Sequence, residues 1–308
     1  MTKACDLIMI SAMYENGGNT THRFLDGHPE LFVYPFESQT GNTQTTSMFT
    51  GFFPHRYEWP EFPMGRTPEQ YYEMFWDEEM KSRLRVPHVS KFRDAPMDIK
   101  ESERKEIFVK FLKDNGITRA NIMTAYYKSS FDAWKNVQRT GKEKFYVGYN
   151  PVVGVHAEAI LTDFPTGHVI HVARNPWSAF ADTSKRPYPL PLYRYTLSWS
   201  VVQLMALTMA ERYPDRFHIV RFEDLVADPK ATMTKLASKL GIAFDEILTY
   251  PSWNGKKMEE VYPWGTVRIP TPEANVATAN ELTDAQKKEI RSIASPMIKA
   301  LGYENFKF

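Results

Sequence analysis

The sequence has few of the features that mark secreted, membrane-spanning or nucleic-acid-binding proteins. It contains one cysteine, Cys5, which excludes an intrachain disulfide framework and favours a reducing compartment. No apolar run reaches the roughly 20 residues of a membrane-spanning helix, and the first residues lack a convincing signal-peptide cleavage site. Because 38 basic and 37 acidic residues nearly cancel, the charge offers no basis for binding nucleic acid. We therefore expect a cytoplasmic location, with no membrane span and no nucleic-acid partner.

Predicted strands alternate with predicted helices along most of the chain. Short apolar segments predict strands at 6–13, 31–36, 145–149, 168–173 and 217–221. Helical periodicity or capping signals follow most of them, and a last helix begins with the capping box of Thr283 and Gln286. This alternation is typical of an α/β fold whose parallel sheet is flanked by helices on both faces. We predict one domain over 1–308, with a helical and loop insertion around 40–140 and an irregular segment at 251–280.

Arg174 stands at the most informative point of the sequence. The preceding strand ends at 173, and Asn175-Pro176 then provides a helix N-cap residue followed by proline at the first helical position. Ligands of parallel α/β sheets bind at the carboxyl ends of the strands, where a guanidinium fork is well suited to phosphate. Taken alone, an arginine here is more simply explained as a structural cap of the sheet edge. The rest of the sequence favours an anion-binding role.

Three segments, in the expected order, resemble the superfamily of sulfotransferases that depend on 3′-phosphoadenosine 5′-phosphosulfate (PAPS). The segment 6–37 has a strand, loop, helix, His-Pro and second strand. The segment 150–182 has a helix, Phe-Pro, strand and Arg-x-Pro run, and 216–242 has a strand, Glu-Asp-Leu and an Asp-Pro-capped helix. The resemblance is nearest to the bacterial and carbohydrate-type branch. It implies a P-loop-type α/β fold, PAPS as co-substrate, no metal, and sulfuryl transfer to a hydroxyl or amine of a small-molecule or carbohydrate acceptor.

The resemblance assigns the loop after the first strand to the phosphosulfate of PAPS. Members of the family usually carry a basic residue there, followed by Ser-Gly-Thr-Thr. An ungapped register places these positions at Glu15, Asn16, Gly17, Gly18 and Asn19. A gapped register places the paired threonines at Thr20 and Thr21. Glycines allow close backbone approach to phosphate and threonine hydroxyls add donors, but both registers lack the basic residue.

Arg174 matches the family arginine that binds the 3′-phosphate of PAPS. The serine that shares this task in the family commonly lies eight residues later, where this sequence has Asp182. Since a carboxylate beside a phosphate is unfavourable, we expect a nearby hydroxyl to replace the serine, with Arg186 one turn further. The candidate hydroxyls are those of Ser178, Thr183 and Ser184.

Glu37 follows the second strand, where several members of the family carry their catalytic carboxylate. A partly buried glutamate there could be the general base that accepts the acceptor's proton, although a lone loop glutamate is commonly just solvated. The cation missing from the loop has two candidates on the first helix, His22 and Arg23, and we assign His22 to the catalytic set.

The segment 252–275 resembles the late loop that folds over the nucleotide in the family. Lys256, Lys257 or Arg268 could supply positive charge there, and Trp253 or Trp264 could stack on adenine. Each of these residues is equally explained as part of a surface loop.

Two other functions are compatible with parts of the sequence. A small-molecule kinase or other P-loop nucleotide enzyme is disfavoured because no GxxxxGK[ST] motif occurs and no acidic strand end offers a magnesium site. A catalytically inactive sulfotransferase-like binding protein is kept open by Glu15 and Asp182, which are acids at positions where the family has other residues.

Overall fold

In the part of the chain that the structure describes, a parallel sheet of five strands forms the centre of the fold. The computed structural model describes residues 4–45, 51, 53–258 and 271–308. The strands are β1 (Asp6–Ala12), β2 (Leu31–Val33), β3 (Phe145–Tyr149), β4 (His168–Ala173) and β5 (Phe217–Arg221). They lie in the order β2-β3-β1-β4-β5, and every neighbouring pair is parallel. The predicted parallel α/β fold is therefore confirmed.

Helices and a short hairpin surround this sheet. In the described residues the helices are α1 (Gly18–Leu25), α2 (Pro68–Met74), α3 (Glu78–Arg85), α4 (Glu101–Asn115), α5 (Arg119–Ala133), α6 (Ala157–Asp163), α7 (Pro176–Ser184), α8 (Leu192–Arg212), α9 (Phe222–Ala227), α10 (Pro229–Leu240), α11 (Pro272–Ala279) and α12 (Asp284–Ala300). The hairpin pairs β6 (Ser252–Trp253) with β7 (Lys256–Lys257) in antiparallel fashion. Helices α2 to α5 occupy the segment predicted as a helical and loop insertion.

Both faces of the sheet are covered, as the side chains along β1 show. Leu7 and Met9 belong to a core cluster that includes residues of α4, α5 and α6, whereas Ile8 and Ile10 belong to a second cluster with residues of α1 and α10. All four side chains are fully buried. Since successive side chains of a strand point to opposite faces, a strand buried on both sides produces the continuous apolar run seen in the sequence.

Capping side chains fix the helix starts that the sequence predicts. The Asn175 side chain accepts a hydrogen bond of 2.8 Å from the backbone N–H of Ser178 at the start of α7. At the start of α12, Thr283 and Gln286 form both hydrogen bonds of a capping box. These bonds satisfy backbone N–H groups that have no partner inside the helix.

Two predicted segments differ from the structure. Strand β2 ends at Val33 rather than at residue 36, since Pro35 has no backbone N–H to continue the ladder. The segment 251–280, predicted as irregular, contains the β6–β7 hairpin and helix α11. Helix α11 begins with Thr271 as N-cap and proline at its first position, a start signal of the kind that identified α7.

The described residues contain neither a helix fit to span a membrane nor a cluster of potential metal ligands. None of their helices combines the length and the apolar character that crossing a lipid bilayer requires. Within the same residues, no three His, Cys, Asp or Glu side chains are grouped in a way that could hold a metal ion.

Candidate active site

The carboxyl edge of the sheet brings the main candidate residues together. The loop between β1 and α1, the segment after β2 and the turn after β4 all leave the sheet at this edge, because parallel strands share their carboxyl end. A cavity of about 540 Å³ opens there, and its lining includes Glu37, Tyr57, Phe92 and Arg186. A second cavity of about 370 Å³, lined in part by Tyr14, shares Tyr57 and Arg186 with the first.

The N-terminus of α1 follows the β1–α1 loop and lacks a side-chain cap among the described residues. Its N-cap residue, Gly17, has a φ of 88° and makes no side-chain capping hydrogen bond to the first turn. The first N–H groups of an uncapped helix carry partial positive charge and point away from the helix, which suits an anion. Asn19 is exposed and Thr20 is half-buried at this end. The buried Thr21 donates its hydroxyl proton to the carbonyl of Gly17 over 3.1 Å, so that donor is already used.

Asn16 joins this loop to β4 and α8 through its side-chain amide. The amide nitrogen donates to the carbonyl of Tyr14 over 2.8 Å and to the hydroxyl of Tyr195 over 3.2 Å. The amide oxygen accepts from the backbone N–H of Arg174 and from the indole of Trp199, each over 3.1 Å. The side chain is fully buried and its groups are occupied. Asn16 therefore positions the loop, and the predicted ligand contact would displace one of these bonds.

Arg174 lies at the end of β4 with its guanidinium against the β1–α1 loop. Its Nε donates to the side-chain oxygen of Asn275 over 2.7 Å, and its Nη1 donates to the carbonyl of Glu15 over 2.8 Å. The group also lies over the ring of Phe222, with its central carbon 5.0 Å from the ring centroid. Nη2 has no hydrogen-bond partner among the described residues. The guanidinium is thus held rigidly from one side, which leaves Nη2 for a ligand.

Asp182 forms an ion pair with Arg174. Its Oδ2 lies 2.9 Å from Nη1 of Arg174, and its Oδ1 lies 3.2 Å from Nζ of Lys185. The carboxylate therefore occupies one side of the arginine that the sequence comparison assigns to the 3′-phosphate.

None of the three hydroxyls that we expected beside Arg174 has its proton available. Ser178 donates to the carbonyl of Asn275, Thr183 to that of Ala179, and Ser184 to that of Ala181, each over 2.7 Å. One of these bonds, which stabilise helix α7 and its contact with α11, would have to break for a hydroxyl to replace the family's serine as a donor, so that expectation stays a prediction.

Glu223 organises the same corner of the site from the start of α9. Its Oε1 accepts from the backbone N–H of Asn175 over 3.0 Å and from the side chain of Asn275 over 3.1 Å. Its Oε2 accepts from the hydroxyl of Tyr303 over 2.9 Å. Near Tyr303, the ring of Phe306 stacks on Trp177 of α7 with 5.7 Å between ring centroids. The turn after β4 is therefore fixed by three distant parts of the chain.

The surroundings of Glu37 raise the pKa of its carboxyl group above the value it has in water. Burial raises the pKa of Glu37 to about 7, and the neighbouring Glu79 carboxylate contributes in the same direction. Lys91 and a hydrogen bond with Tyr57 oppose the rise. The backbone N–H of Glu37 donates to Glu79 over 3.0 Å, and Glu79 pairs with Lys91 at 2.6 Å. A carboxyl group with a pKa near neutrality is suited to accept and release protons.

Arg186 contacts the β1–α1 loop through Glu15, an arrangement that the sequence does not reveal. Its Nε donates to Oε1 of Glu15 over 2.8 Å, and its Nη2 contacts the same oxygen. The guanidinium carbon lies 5.4 Å from the centroid of the Tyr14 ring. Arg186 therefore lies beside the loop itself, although the sequence assigns it to the 3′-phosphate.

Comparison with known proteins identifies the family. Residues 17–246 match the family model described as the Sulfotransferase family. The chain belongs to this sulfotransferase family. The resemblance seen in the sequence is thereby confirmed. No curated protein matches the chain at a significant level.

Two solved sulfotransferase structures share the fold. The sulfotransferase domain from the Synechococcus PCC 7002 olefin synthase is 16% identical, with a TM-score of 0.57 over 96% of this chain and 95% of that one. The sulfotransferase domain from the curacin biosynthetic pathway is 15% identical, with a TM-score of 0.54 over 98% of this chain and 99% of that one. At these identities the likeness concerns the fold alone.

His22 and Arg23 belong to the core of the sulfotransferase fold in this chain. His22 is fully buried, and burial together with the adjacent Arg23 lowers its pKa well below the ordinary value. Arg23 contacts Nδ1 of His22 over 2.7 Å and lies over the ring of Trp253. A neutral, buried imidazole cannot serve as a catalytic cation, so the assignment of His22 to the catalytic set is corrected.

Lys256 lies near the C-terminal end of α1, whereas the β1–α1 loop precedes its N-terminal end. The hairpin that carries it is held by Asp26, which accepts from the Ser252 hydroxyl over 2.8 Å and from the backbone N–H of Gly255 over 3.0 Å. Asp26 follows the last residue of α1, and an eight-residue helix is about 12 Å long. Trp253, in the same hairpin, is buried in the core rather than presented as a stacking surface. Arg268 and Trp264 lie outside the described residues.

Packing also requires glycine at both Gly17 and Gly18, at the end of the β1–α1 loop. A Cβ added to Gly17 would lie 2.2 Å from the ring of Phe222, and one added to Gly18 would lie 2.4 Å from the ring of Tyr149. Real Cβ atoms do not approach other atoms this closely. The glycines therefore let the loop lie directly on aromatic side chains at the ends of the sheet.

We expect Gly17→Ala to lower the free energy of unfolding more than Gly241→Ala. Both glycines have positive φ, 88° and 66°, but a Cβ at Gly241 meets nothing within 4 Å. The control thus measures backbone strain alone, and the Phe222 overlap should add about 2 kcal/mol. Urea unfolding of both variants checks this, and equal losses would show that Phe222 moves aside freely.

Proposed function

We propose that the protein transfers the sulfuryl group of PAPS to a hydroxyl of a small-molecule acceptor. The observation that carries the proposal is the cavity of about 540 Å³ at the carboxyl edge of the sheet, which Glu37 and Arg186 both line. A proton acceptor of pKa about 7 and a cation thus face one space, and the cation, Arg186, contacts the loop that leads into α1. Membership of the sulfotransferase family supports the reaction class.

The donor would be bound at two points of the site. The N–H groups at the start of α1, with the hydroxyl of Thr20, suit the 5′-phosphosulfate, because a helix N-terminus stabilises anions. Nη2 of Arg174, free among the described residues, suits the 3′-phosphate. Asn16 contributes by fixing the loop relative to Arg174.

Glu37 would act as the general base. As the acceptor oxygen attacks sulfur, its proton passes to the Glu37 carboxylate, and the bond from sulfur to the 5′-phosphate oxygen breaks. The products are the sulfated acceptor and adenosine 3′,5′-bisphosphate. Because the pKa of Glu37 is about 7, a substantial fraction is ionised at neutral pH and ready to accept the proton.

The lining of the larger cavity favours a polyhydroxylated acceptor such as a carbohydrate. Aromatic rings are present at Tyr57 and Phe92, and hydrogen-bonding side chains at Gln39, Ser82 and Ser90. Flat apolar rings combined with amide and hydroxyl groups complement the faces and edges of a sugar.

Two further parts of the proposal concern the chain as a whole. We propose that residues 1–308 act as one domain, since α8, α7 and α12 pack on one another beside the central sheet. The single cysteine favours a reducing compartment, and we propose a cytoplasmic location on that ground.

The test is transfer of label from sulfur-labelled PAPS to a panel of sugars, phenols and amines. Formation of adenosine 3′,5′-bisphosphate should accompany each sulfated product. Nucleotide binding provides the comparison, because removal of the 3′-phosphate should weaken binding strongly. Tight binding of ATP with magnesium, together with indifference to the 3′-phosphate, would favour a kinase instead.

Removal of divalent ions should leave turnover unchanged. The positive charge needed by the donor is available from Arg174, Arg186 and the N-terminus of α1. Turnover is to be measured with labelled donor before and after treatment with a chelator, with magnesium restored in a third sample. A loss that magnesium reverses would show that a metal takes part.

One observation favours a second candidate, a sulfotransferase-like protein that binds ligands without catalysis. Asp182 pairs with Arg174 and Glu15 pairs with Arg186, so both site cations face an internal acid. Binding of the 3′,5′-bisphosphate without label transfer to any acceptor would support this candidate.

A further inference from the structure

The β1–α1 loop has an acid, Glu15, at the position where related sulfotransferases carry a basic residue. An acid beside the phosphosulfate would repel it unless a cation offset the charge. Glu15 has a φ of 56°, in the left-handed region, and its carbonyl accepts from Arg174. Its carboxylate is paired with Arg186. The loop therefore carries an ion pair at the position of a single cation.

Arg186 reaches this loop from the segment that follows α7. Its backbone N–H donates to the carbonyl of Thr183 over 3.1 Å, which continues the turn beyond the helix. Its side chain lies over Tyr14 and donates from Nε to Glu15 over 2.8 Å. Nη1 has no hydrogen-bond partner within the described ranges. Glu15 thus holds one edge of the guanidinium and leaves Nη1 unused.

The other two cations that line the larger cavity pair with acids outside the β1–α1 loop. Arg56 pairs with Glu78 at 3.1 Å, and Lys91 pairs with Glu79 at 2.6 Å. Arg186 differs because it contacts the loop and also lines the cavity that contains Glu37.

We propose that Arg186 supplies the cation that the β1–α1 loop lacks, and that Glu15 positions it. This inference rests on the proposed function. When the bond between sulfur and the bridging oxygen breaks, its electron pair goes to that oxygen and the 5′-phosphate gains negative charge. Arg186 then stabilises the leaving group from the loop side while Glu37 receives the acceptor proton. Because that charge develops during the reaction, Arg186 lowers the barrier more than it strengthens donor binding.

The exposure of the pair is compatible with this role. The Arg186 side chain is 46% exposed and that of Glu15 34%. Ion pairs at this exposure are weak, so Arg186 can shift towards a phosphate without a large loss of stability.

The experiment compares five variants with the wild-type protein in labelled-donor assays. They are Arg186→Ala, Arg186→Lys, Glu15→Gln, the double variant Glu15→Lys with Arg186→Ala, and the control Arg212→Ala. Arg212 is also an exposed arginine paired with a glutamate, Glu158, but it lies at the end of α8.

We expect Arg186→Ala to lower kcat about 30-fold and donor affinity less than about 5-fold, with Arg212→Ala unchanged. Arg186→Lys and Glu15→Gln should retain intermediate kcat values at an unchanged melting temperature. The double variant, which places a lysine in the loop as the family does, should recover at least about tenfold over Arg186→Ala. Equal kcat values for Arg186→Ala and Arg212→Ala, or no recovery in the double variant, would overturn the inference.

A separate measurement distinguishes failure of this inference from failure of the proposed function. If the wild-type protein sulfates no acceptor, the proposed function fails. Arg186 is then judged by calorimetry with adenosine 5′-phosphosulfate. Weaker binding to Arg186→Ala than to Arg212→Ala places Arg186 at the phosphosulfate, and equal binding contradicts it.

Discussion

Replacement of Glu37 by glutamine should lower turnover by about 10²-fold or more while the donor still binds. Glutamine keeps the shape of the side chain but cannot accept a proton, and a general base commonly contributes 10²–10⁴-fold. The comparison is kcat with labelled donor against the dissociation constant of adenosine 3′,5′-bisphosphate from calorimetry. Unchanged turnover would show that Glu37 is only a loop acid.

The pH dependence of the wild-type protein provides an independent check on Glu37. The base must be ionised, and its pKa is about 7, so kcat/KM should rise with pH and level off above about 7. Glu37→Gln should remove this ionisation from the profile of its residual activity. A wild-type profile that is flat between pH 5 and 8 would contradict the assignment.

As pH rises, the free energy of unfolding should fall while kcat/KM rises. The pKa of Glu37 in the folded protein is raised from 4.5 to about 7, so the folded state binds this proton more tightly than the unfolded state. Below about pH 4.5 Glu37 is protonated in both states, and its contribution to the free energy of unfolding is at its maximum. This contribution falls as pH rises above 4.5 and is lost once pH has passed through 7. At pH 8 Glu37→Gln should therefore be more stable than the wild-type protein. Glu158→Gln, at an exposed pair, serves as the control.

Replacement of Arg174 by alanine should weaken 3′,5′-bisphosphate binding by about 2–3 kcal/mol, which is roughly 30- to 160-fold. Two effects add. A charge-assisted contact to the 3′-phosphate is lost, and Asp182 loses the guanidinium that lies 2.9 Å from its carboxylate. The negative charge of Asp182 would then repel the 3′-phosphate without the arginine that offsets it. Adenosine 5′-phosphate, which lacks the 3′-phosphate, should bind nearly as well as before.

Calorimetry with both nucleotides checks this prediction. The matched control is Arg212→Ala, since Arg212 is an exposed arginine at the end of α8 that pairs with Glu158 and does not contact the loop. A further variant, Asp182→Ser, restores the residue that the family carries and should strengthen bisphosphate binding. Equal losses for the two nucleotides in Arg174→Ala would mean that Arg174 does not recognise the 3′-phosphate.

The parts of the fold that could be predicted from the sequence are those that depend on local signals. Strand β4 was predicted with its observed bounds, because a strand buried on both faces is a continuous apolar run that ends at Arg174. The same holds for the caps at Asn175 and Thr283, which act on N–H groups three residues away. The start of α11 was missed although Thr271-Pro272 carries the same kind of signal.

The candidate site was less predictable because its contacts join residues that are far apart in sequence. Glu15 and Arg186 are 171 residues apart, and no periodicity records which acid will meet which arginine. Asn275 reaches Arg174 only because α11 packs beside α7. His22 illustrates the opposite case, since its position next to a loop predicted to bind phosphate suggested chemistry, whereas packing places its side chain in the core. Burial on one side of a short helix is decided by packing rather than by local sequence.

The hydrogen bond from Tyr303 to Glu223 links residues after α12 to the positioning of Arg174. Glu223 orients Asn175 and Asn275, and Asn275 in turn holds Nε of Arg174. Phe306 also stacks on Trp177 of α7, the helix that carries Asp182. An affinity tag or fusion partner joined directly after residue 308 would therefore act on the alignment of Arg174, even though it is attached to a different element. A flexible spacer, or attachment at the other terminus, would keep activity assays free of that disturbance.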